Sequence, residues 1–186
     1  MTWTLATNLE NLSLTGTSGI NGTGITVANV LIGNGGNNTL SGLAGNDTLD
    51  GGGGNDTLVG GAGADTYRFA HGNGVDTVQD NDTTAGVEDR IEFGTGIAQG
   101  DLTFSKSGNN LQALINGTTD RLVVQDWYLG SQYRVEEFRF ADGSGLTDTQ
   151  VQGLVSAMAA FSAPAAAAYA PNMRMPTQDL SVSSML

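Results

Sequence analysis

Read in nines, Gly33 to Gln79 says GNGGNNTLS (33–41), GLAGNDTLD (42–50), GGGGNDTLV (51–59) and GGAGADTYR (60–68). After two extra residues, Phe69 and Ala70, it says HGNGVDTVQ (71–79). Glycines come first, an acid or amide sixth, Thr seventh and an apolar residue eighth. A fixed period of this kind is the mark of a repeat architecture. The eighth-place residues Leu40, Leu49, Leu58, Tyr67 and Val78 read as the inward side chains of short strands. The glycines let the backbone reach positive φ and let successive turns approach closely. Two nonapeptides then complete one turn of a flattened solenoid with two thin parallel sheets. Its apolar stripe is narrow, about one side chain per nine residues, and falls short of the entropy of ordering so glycine-rich a backbone.

A cation supplies the missing term. Loops two repeats apart stack on one edge, which puts Asp47 near Asp65 on one side and aligns Asn38, Asp56 and Asp76 on the other. Side-chain oxygens from two sixth places, with carbonyls from the glycine turns, make the six-to-eight-oxygen shell that a hard cation prefers. Without metal the stacked carboxylates repel, so folding and binding are coupled. With Kd about 10⁻⁴ M, millimolar calcium contributes about 1.4–2.7 kcal/mol per site, and submicromolar calcium almost nothing. A disordered glycine-rich linker lacks this phase, since Asp47, Asp56 and Asp65 fall at one fixed spacing and Leu40, Leu49 and Leu58 at the same one. A metal-free solenoid gives no reason to stack Asp on Asp.

Composition agrees. The 186-residue chain carries a formal net charge of −12, with Lys106 its only lysine, which argues against a nucleic-acid partner. Cysteine is absent, excluding disulfides and thiolate metal sites. MTWTLATNLE has no basic region followed by an apolar run, so no cleavable secretory signal is expected, and no window reaches the length of a membrane span.

Outside the array, residues 1–32 read as degenerate coils, with Gly24 to Ile32 keeping the repeat phase around Asn29 and Leu31. Residues 80–146 read as a small antiparallel sheet capping the open end: a strand at Arg90 to Phe93, a hairpin of Leu102 to Ser105 with Leu111 to Ile115, and strands in Arg121 to Trp127 and Tyr133 to Phe140. Phe104, Trp127, Tyr128 and Phe138 are its expected core. Asp80 and Asp82 either finish a last half-site or cap the solenoid end, or are solvated loop acids, and the last is the favoured expectation. Thr147 to Phe161 reads as a helix, with a capping box at Thr147 and Gln150 and an apolar face of Val151, Leu154, Val155, Met158 and Phe161. The whole is all-β: a calcium-stabilised parallel β-roll, a cap, one C-terminal helix in 147–186 and a flexible tail.

The GLAGNDTLD-GGGGNDTLV-GGAGADTYR block resembles the RTX, or haemolysin-type, calcium-binding β-roll family. The segment from Asp80-Asn81-Asp82 to Ala141-Asp142-Gly143 looks like the haemolysin-type calcium-binding related domain that trails such repeats. The Lys-poor end, closing on SVSSML, is similar to the uncleaved signals of type I secretion substrates. The resemblance implies about two to four calcium ions, held by Asp47, Asp56, Asp65 and Asp76 with Asn38, and by carbonyls of turn residues such as Gly33, Gly42, Gly51, Gly53 and Gly60. It also implies passage through a type I secretion ABC transporter, unfolded and C-terminus first, and folding outside the cell in calcium. The departures from the pattern are Asn38 in place of Asp, Leu43 in place of glycine, and the Phe69-Ala70 insertion, which is expected to disturb the Asp56–Asp76 site.

Two other functions compete. A polysaccharide-binding module would use exposed Trp127, Tyr128 and Tyr133 as platforms. An enzyme would need a catalytic constellation, and the sequence offers none. His71 opens a repeat loop as a turn residue, Glu136 and Glu137 fall on opposite faces of a strand, and the serines lie in no nucleophile-elbow motif. The expected function is that of a calcium-binding module within a larger secreted protein, not an enzyme.

Overall fold

The structure, a computed structural model, describes residues 1–162. Nine short strands alternate between two sheets: β1 (Thr2–Thr4), β2 (Asn11–Ser13), β3 (Asn21–Thr23), β4 (Val30–Ile32), β5 (Thr39–Ala44), β6 (Thr48–Asp50), β7 (Thr57–Ala62), β8 (Thr66–Phe69) and β9 (Val75–Gln79). Odd-numbered strands pair in parallel in one sheet and even-numbered strands in the other. The register repeats the sequence phase: Leu40 lies beside Leu58 and Leu58 beside Val78, while Leu31, Leu49 and Tyr67 line up across the interior. All six side chains are fully buried. This is the two-sheet roll expected from the nonapeptides. It also reaches further towards the N-terminus than they do, since Trp3 pairs with Gly22 and Leu12 with Leu31.

Beyond residue 79 the cap does not form a sheet of its own. Strand β10 (Arg90–Phe93) joins the even sheet beside β8, and β13 (Arg121–Val124) joins the odd sheet beside β9, both in parallel. The hairpin β11 (Leu102–Ser107) and β12 (Asn110–Ile115) then extends β13 antiparallel. In the even sheet β14 (Glu137–Arg139) pairs in parallel with β10, and β15 (Gly145–Thr147) closes antiparallel. The antiparallel strands of the expected cap are therefore the outer layers of the roll's own sheets. The interior stripe runs on without a seam, through Ile91 and Phe138 on one side and Val124 on the other.

Phe104 and Trp127 meet Phe138 edge to face, with ring centroids 5.7 Å apart in both pairs, and fill the end of the roll as expected. Tyr128 is only half-buried, its ring lying under the Lys106 ammonium. Helix α1 (Asp148–Ser162) packs on β11, the outer strand of the odd sheet. Its capping box forms: the Gln150 side chain accepts from the Thr147 amide at 2.8 Å, and the Thr147 hydroxyl accepts from the Gln150 amide at 3.3 Å. Val151 and Val155 are buried, whereas Met158 stays 42% exposed. The Phe161 side chain and the tail from residue 163, including the expected secretion signal, lie outside the described residues.

Candidate metal centres

Strand pairing sets each sixth-place residue directly above its counterpart one coil away. Along one edge the Asn29 amide donates to Asp47 Oδ1 (2.7 Å), the Asp47 amide to Asp65 Oδ1 (2.8 Å) and the Asp65 amide to Asp89 Oδ1 (2.7 Å). The Asp89 amide in turn donates to Glu136 Oε2 (2.9 Å). Along the other edge the Asn38 amide donates to Asp56 Oδ1 (2.7 Å) and the Asp56 amide to Asp76 Oδ1 (2.9 Å). Asp120 ends that edge by accepting from the Gly72 and Gly74 amides. Each aspartate thus uses one oxygen to hold the preceding coil.

The other oxygen has nothing to do. Oδ2 of Asp47, Asp56, Asp65 and Asp76 is buried and without a hydrogen-bond partner among the described residues, an arrangement that costs about 1–3 kcal/mol or more per group unless something satisfies it. The glycines show where these atoms lie. A Cβ on Gly42 would strike Asp47 Oδ2 and the Gly60 carbonyl, and one on Gly51 would strike Asp56 Oδ2. On Gly60 it would meet Asp65 Oδ2 and the Tyr67 hydroxyl, and on Gly33 the Gly51 carbonyl and the Asn38 amide oxygen. Around Gly53 the nearest neighbours are instead backbone atoms of Gly72 and Gly35, at ordinary contact distance for a Cβ, and no carboxylate is among them. Orphaned anionic oxygens converging with carbonyl oxygens on small spaces, with no nitrogen or sulfur donor among them, fit a calcium ion.

Asn38 stands apart from the four aspartates. Its Oδ1 accepts from the Asn34 amide at 2.8 Å, and its Nδ2 donates to the Ile20 carbonyl at 2.6 Å and to Asn34 Oδ1 at 3.1 Å. An amide nitrogen here serves the acceptors a cation would otherwise serve. Asn29 uses the same device half a coil earlier, on the opposite edge, accepting from the Ile25 amide and donating to the Ala28 carbonyl. Leu43 takes the backbone of the glycine it replaces, at φ 81°, with its side chain left 46% exposed. The Phe69-Ala70 insertion leaves Asp76 in its column: Phe69 lengthens β8 and pairs with Phe93, and the surplus is gathered where Asn73 accepts from the Ala70 amide.

Asp80 does not behave as a solvated loop acid. It follows directly on β9, is 3% exposed and accepts from the Tyr67 hydroxyl at 3.0 Å. Asp82 is half-buried and accepts from the Gly63 amide at 3.0 Å. Trp127 is fully buried, which removes it as a sugar platform. His71 is exposed, and Glu136 and Glu137 face apart, towards Asp89 and Arg139 respectively.

Burial raises the carboxyls of Asp47 and Asp56 to about 6 and those of Asp65 and Asp76 to about 7, opposed by backbone amide hydrogen bonds and reinforced by neighbouring acids at Asp56, Asp65 and Asp76. Asp80 is raised to about 8, by burial first and then by the Asp89 charge. A carboxyl whose folded value is raised stabilises the fold below its unfolded value near 3.8 and loses that contribution as pH climbs through 6 to 8. The calcium-free chain is therefore expected to gain strand signal as pH falls from 8 to 4, while calcium affinity falls over the same range because protons compete. Circular dichroism of metal-depleted protein across that range checks this, and a flat profile contradicts it.

Residues 32–67 match the family model of the RTX calcium-binding nonapeptide repeat in four copies, and residues 110–150 match that of the haemolysin-type calcium binding protein related domain. The resemblance read from the nonapeptides and from the segment that follows them is thereby shown for both, and RTX repeats bind calcium. The iron-regulated protein FrpA of Neisseria meningitidis serogroup C is 40% identical over 92 residues, which are 48% of this chain and 8% of FrpA. The chain thus spans a small fraction of that relative's length. Among the described residues no helix is long and apolar enough to cross a membrane.

Proposed function

We propose that this chain is a calcium-dependent folding module of a larger secreted protein. It is unstructured at cytosolic calcium, travels through a type I secretion ABC transporter, and folds as a roll outside the cell around two to four calcium ions. The observation that carries this reading is the set of four buried, unpartnered carboxylate oxygens, because a roll built this way is stable only once those charges are neutralised. The Asp47–Asp65 and Asp56–Asp76 pairs are the proposed repeat sites, completed by carbonyls such as those of Gly51 and Gly60. A steep dependence on calcium lets one sequence meet opposite demands on the two sides of a membrane, and the role of the repeats is structural.

Far-ultraviolet circular dichroism tests the proposal. Strand signal is expected in millimolar calcium, to collapse on addition of EDTA and to return when calcium is restored. A signal indifferent to EDTA would overturn it.

A further inference from the structure

We propose that Asp65, Asp80 and Asp89 form a calcium site of their own, distinct in make-up from the repeat sites, that fastens the acidic segment and the cap to the roll. The proposal rests on the calcium reading above and extends it to residues outside the nonapeptide phase. One carboxylate oxygen from each of the three lies within 4.8 Å of the other two, and all three residues are buried.

The second observation is the free oxygen of Asp65. Asp65 is 1% exposed, its Oδ1 is taken by the Asp47 amide, and its Oδ2 has no partner. That Oδ2 and the Tyr67 hydroxyl crowd the same face of Gly60, and the hydroxyl donates to Asp80 Oδ1 at 3.0 Å. The unsatisfied oxygen therefore points to the side where Asp80 stands. Asp89, holding the Asp65 amide through Oδ1, completes the triangle.

Among the described residues the site finds no free counter-charge. The cleft that opens onto Asp80 and Asp89 has Arg134 as its one basic residue among the described residues. That guanidinium is engaged with Asp148 at 3.4 Å and with the Trp127 carbonyl at 3.3 Å. Three carboxylates converging without a cation repel one another in a poorly solvated space. An all-oxygen donor set open to solvent on one side suits a hard divalent ion that keeps some of its water.

The ion would draw together the last coil of the roll, the exit of β9 and the entrance to β10. In alkaline solution, where all three are charged, three carboxylates against the two of a repeat site make this site bind more tightly and fill first.

Calorimetric titration of the whole chain with calcium in alkaline buffer tests this, with Asp80→Asn against wild type. Asp80 caps no coil amide, so the repeat columns keep their hydrogen bonds. The expected result is one ion fewer and loss of the tightest binding step. Asp82→Asn, which costs one of the two oxygens that accept from the Gly63 and Thr84 amides instead, is expected to keep the full ion count. Equal counts and affinities in wild type and Asp80→Asn overturn the composite site while leaving the repeat sites standing. A wild-type chain that takes up no calcium overturns the underlying reading. If Asp80→Asn does not fold in calcium, Tyr67→Phe decides. Loss of the hydroxyl that orients Asp80 is expected to weaken the tightest step at least threefold with the ion count unchanged, and an unaltered step overturns the proposal.

Discussion

Alanine in place of Asp56 is expected to raise the calcium concentration needed for folding on the order of tenfold. Asp56 sits in the middle of its column, where Oδ1 holds the Asn38 amide and Oδ2 is the unpartnered oxygen beside Gly51. Its removal deletes a proposed calcium ligand, worth about 1.4–2.7 kcal/mol at millimolar calcium. It also strands a buried amide, at about 1–3 kcal/mol. Each tenfold rise in calcium restores about 1.4 kcal/mol per coupled ion, so two or three ions recover the loss after roughly one decade. Asp56→Asn keeps an oxygen for the Asn38 amide and loses only charge, and its midpoint is expected to fall between wild type and alanine. Titration followed by circular dichroism reads both variants, and an alanine midpoint equal to wild type removes Asp56 from the ligand set.

Gly61→Ala is expected to be worse, leaving little strand at any calcium concentration that folds the wild type. Gly61 has φ 114°, and a Cβ there would collide with the Leu43 carbonyl of the preceding coil. The backbone penalty alone is about 1–3 kcal/mol, and the collision adds to it because coil spacing is set by a parallel ladder on either side of the loop. Gly72→Ala separates the two effects. Gly72 also has positive φ, 85°, but a Cβ there meets nothing within 4 Å. That variant is expected to lose only the conformational share and to fold with a calcium midpoint raised a fewfold. If the two alanines behave alike, close packing of loops is not what the glycine at 61 supplies.

The nonapeptide phase made the centre of the molecule readable, because period and burial have one cause there. Leu40, Leu49 and Leu58 are fully buried, and Asp47, Asp56 and Asp65 stand at one edge or the other, as the spacing requires. The phase could not show that Asn38 and Asn29 are internally satisfied, since that depends on where the Nδ2 groups find acceptors. Asp80 was misread for a related reason. It lies among Asn81, Asp82 and Thr83 in a stretch that looks like a polar loop, and only the Tyr67 hydroxyl, reaching from across the roll, reveals its burial. The parallel joining of β13 to β9 links residues more than 40 apart in sequence, and nothing local in Arg121 to Val124 announces a partner so distant. Strand propensity marks a strand, but neighbours on both sides decide which sheet receives it.

The amide-to-carboxylate bonds along the first edge all run one way: each sixth-place residue is held by the acid one coil later, from Asn29 through Asp47, Asp65 and Asp89 to Glu136. The column thus has a head and a tail, and its final acceptor belongs to the cap. A coil becomes a well-shaped receptor for its ion only when the coil after it is already in place. Growth is favoured from the C-terminal end backwards, with the cap as the seed on which each earlier turn is laid down. For a chain delivered C-terminus first, the order of arrival would then be the order of assembly, and each completed turn would oppose backsliding of the residues still to come.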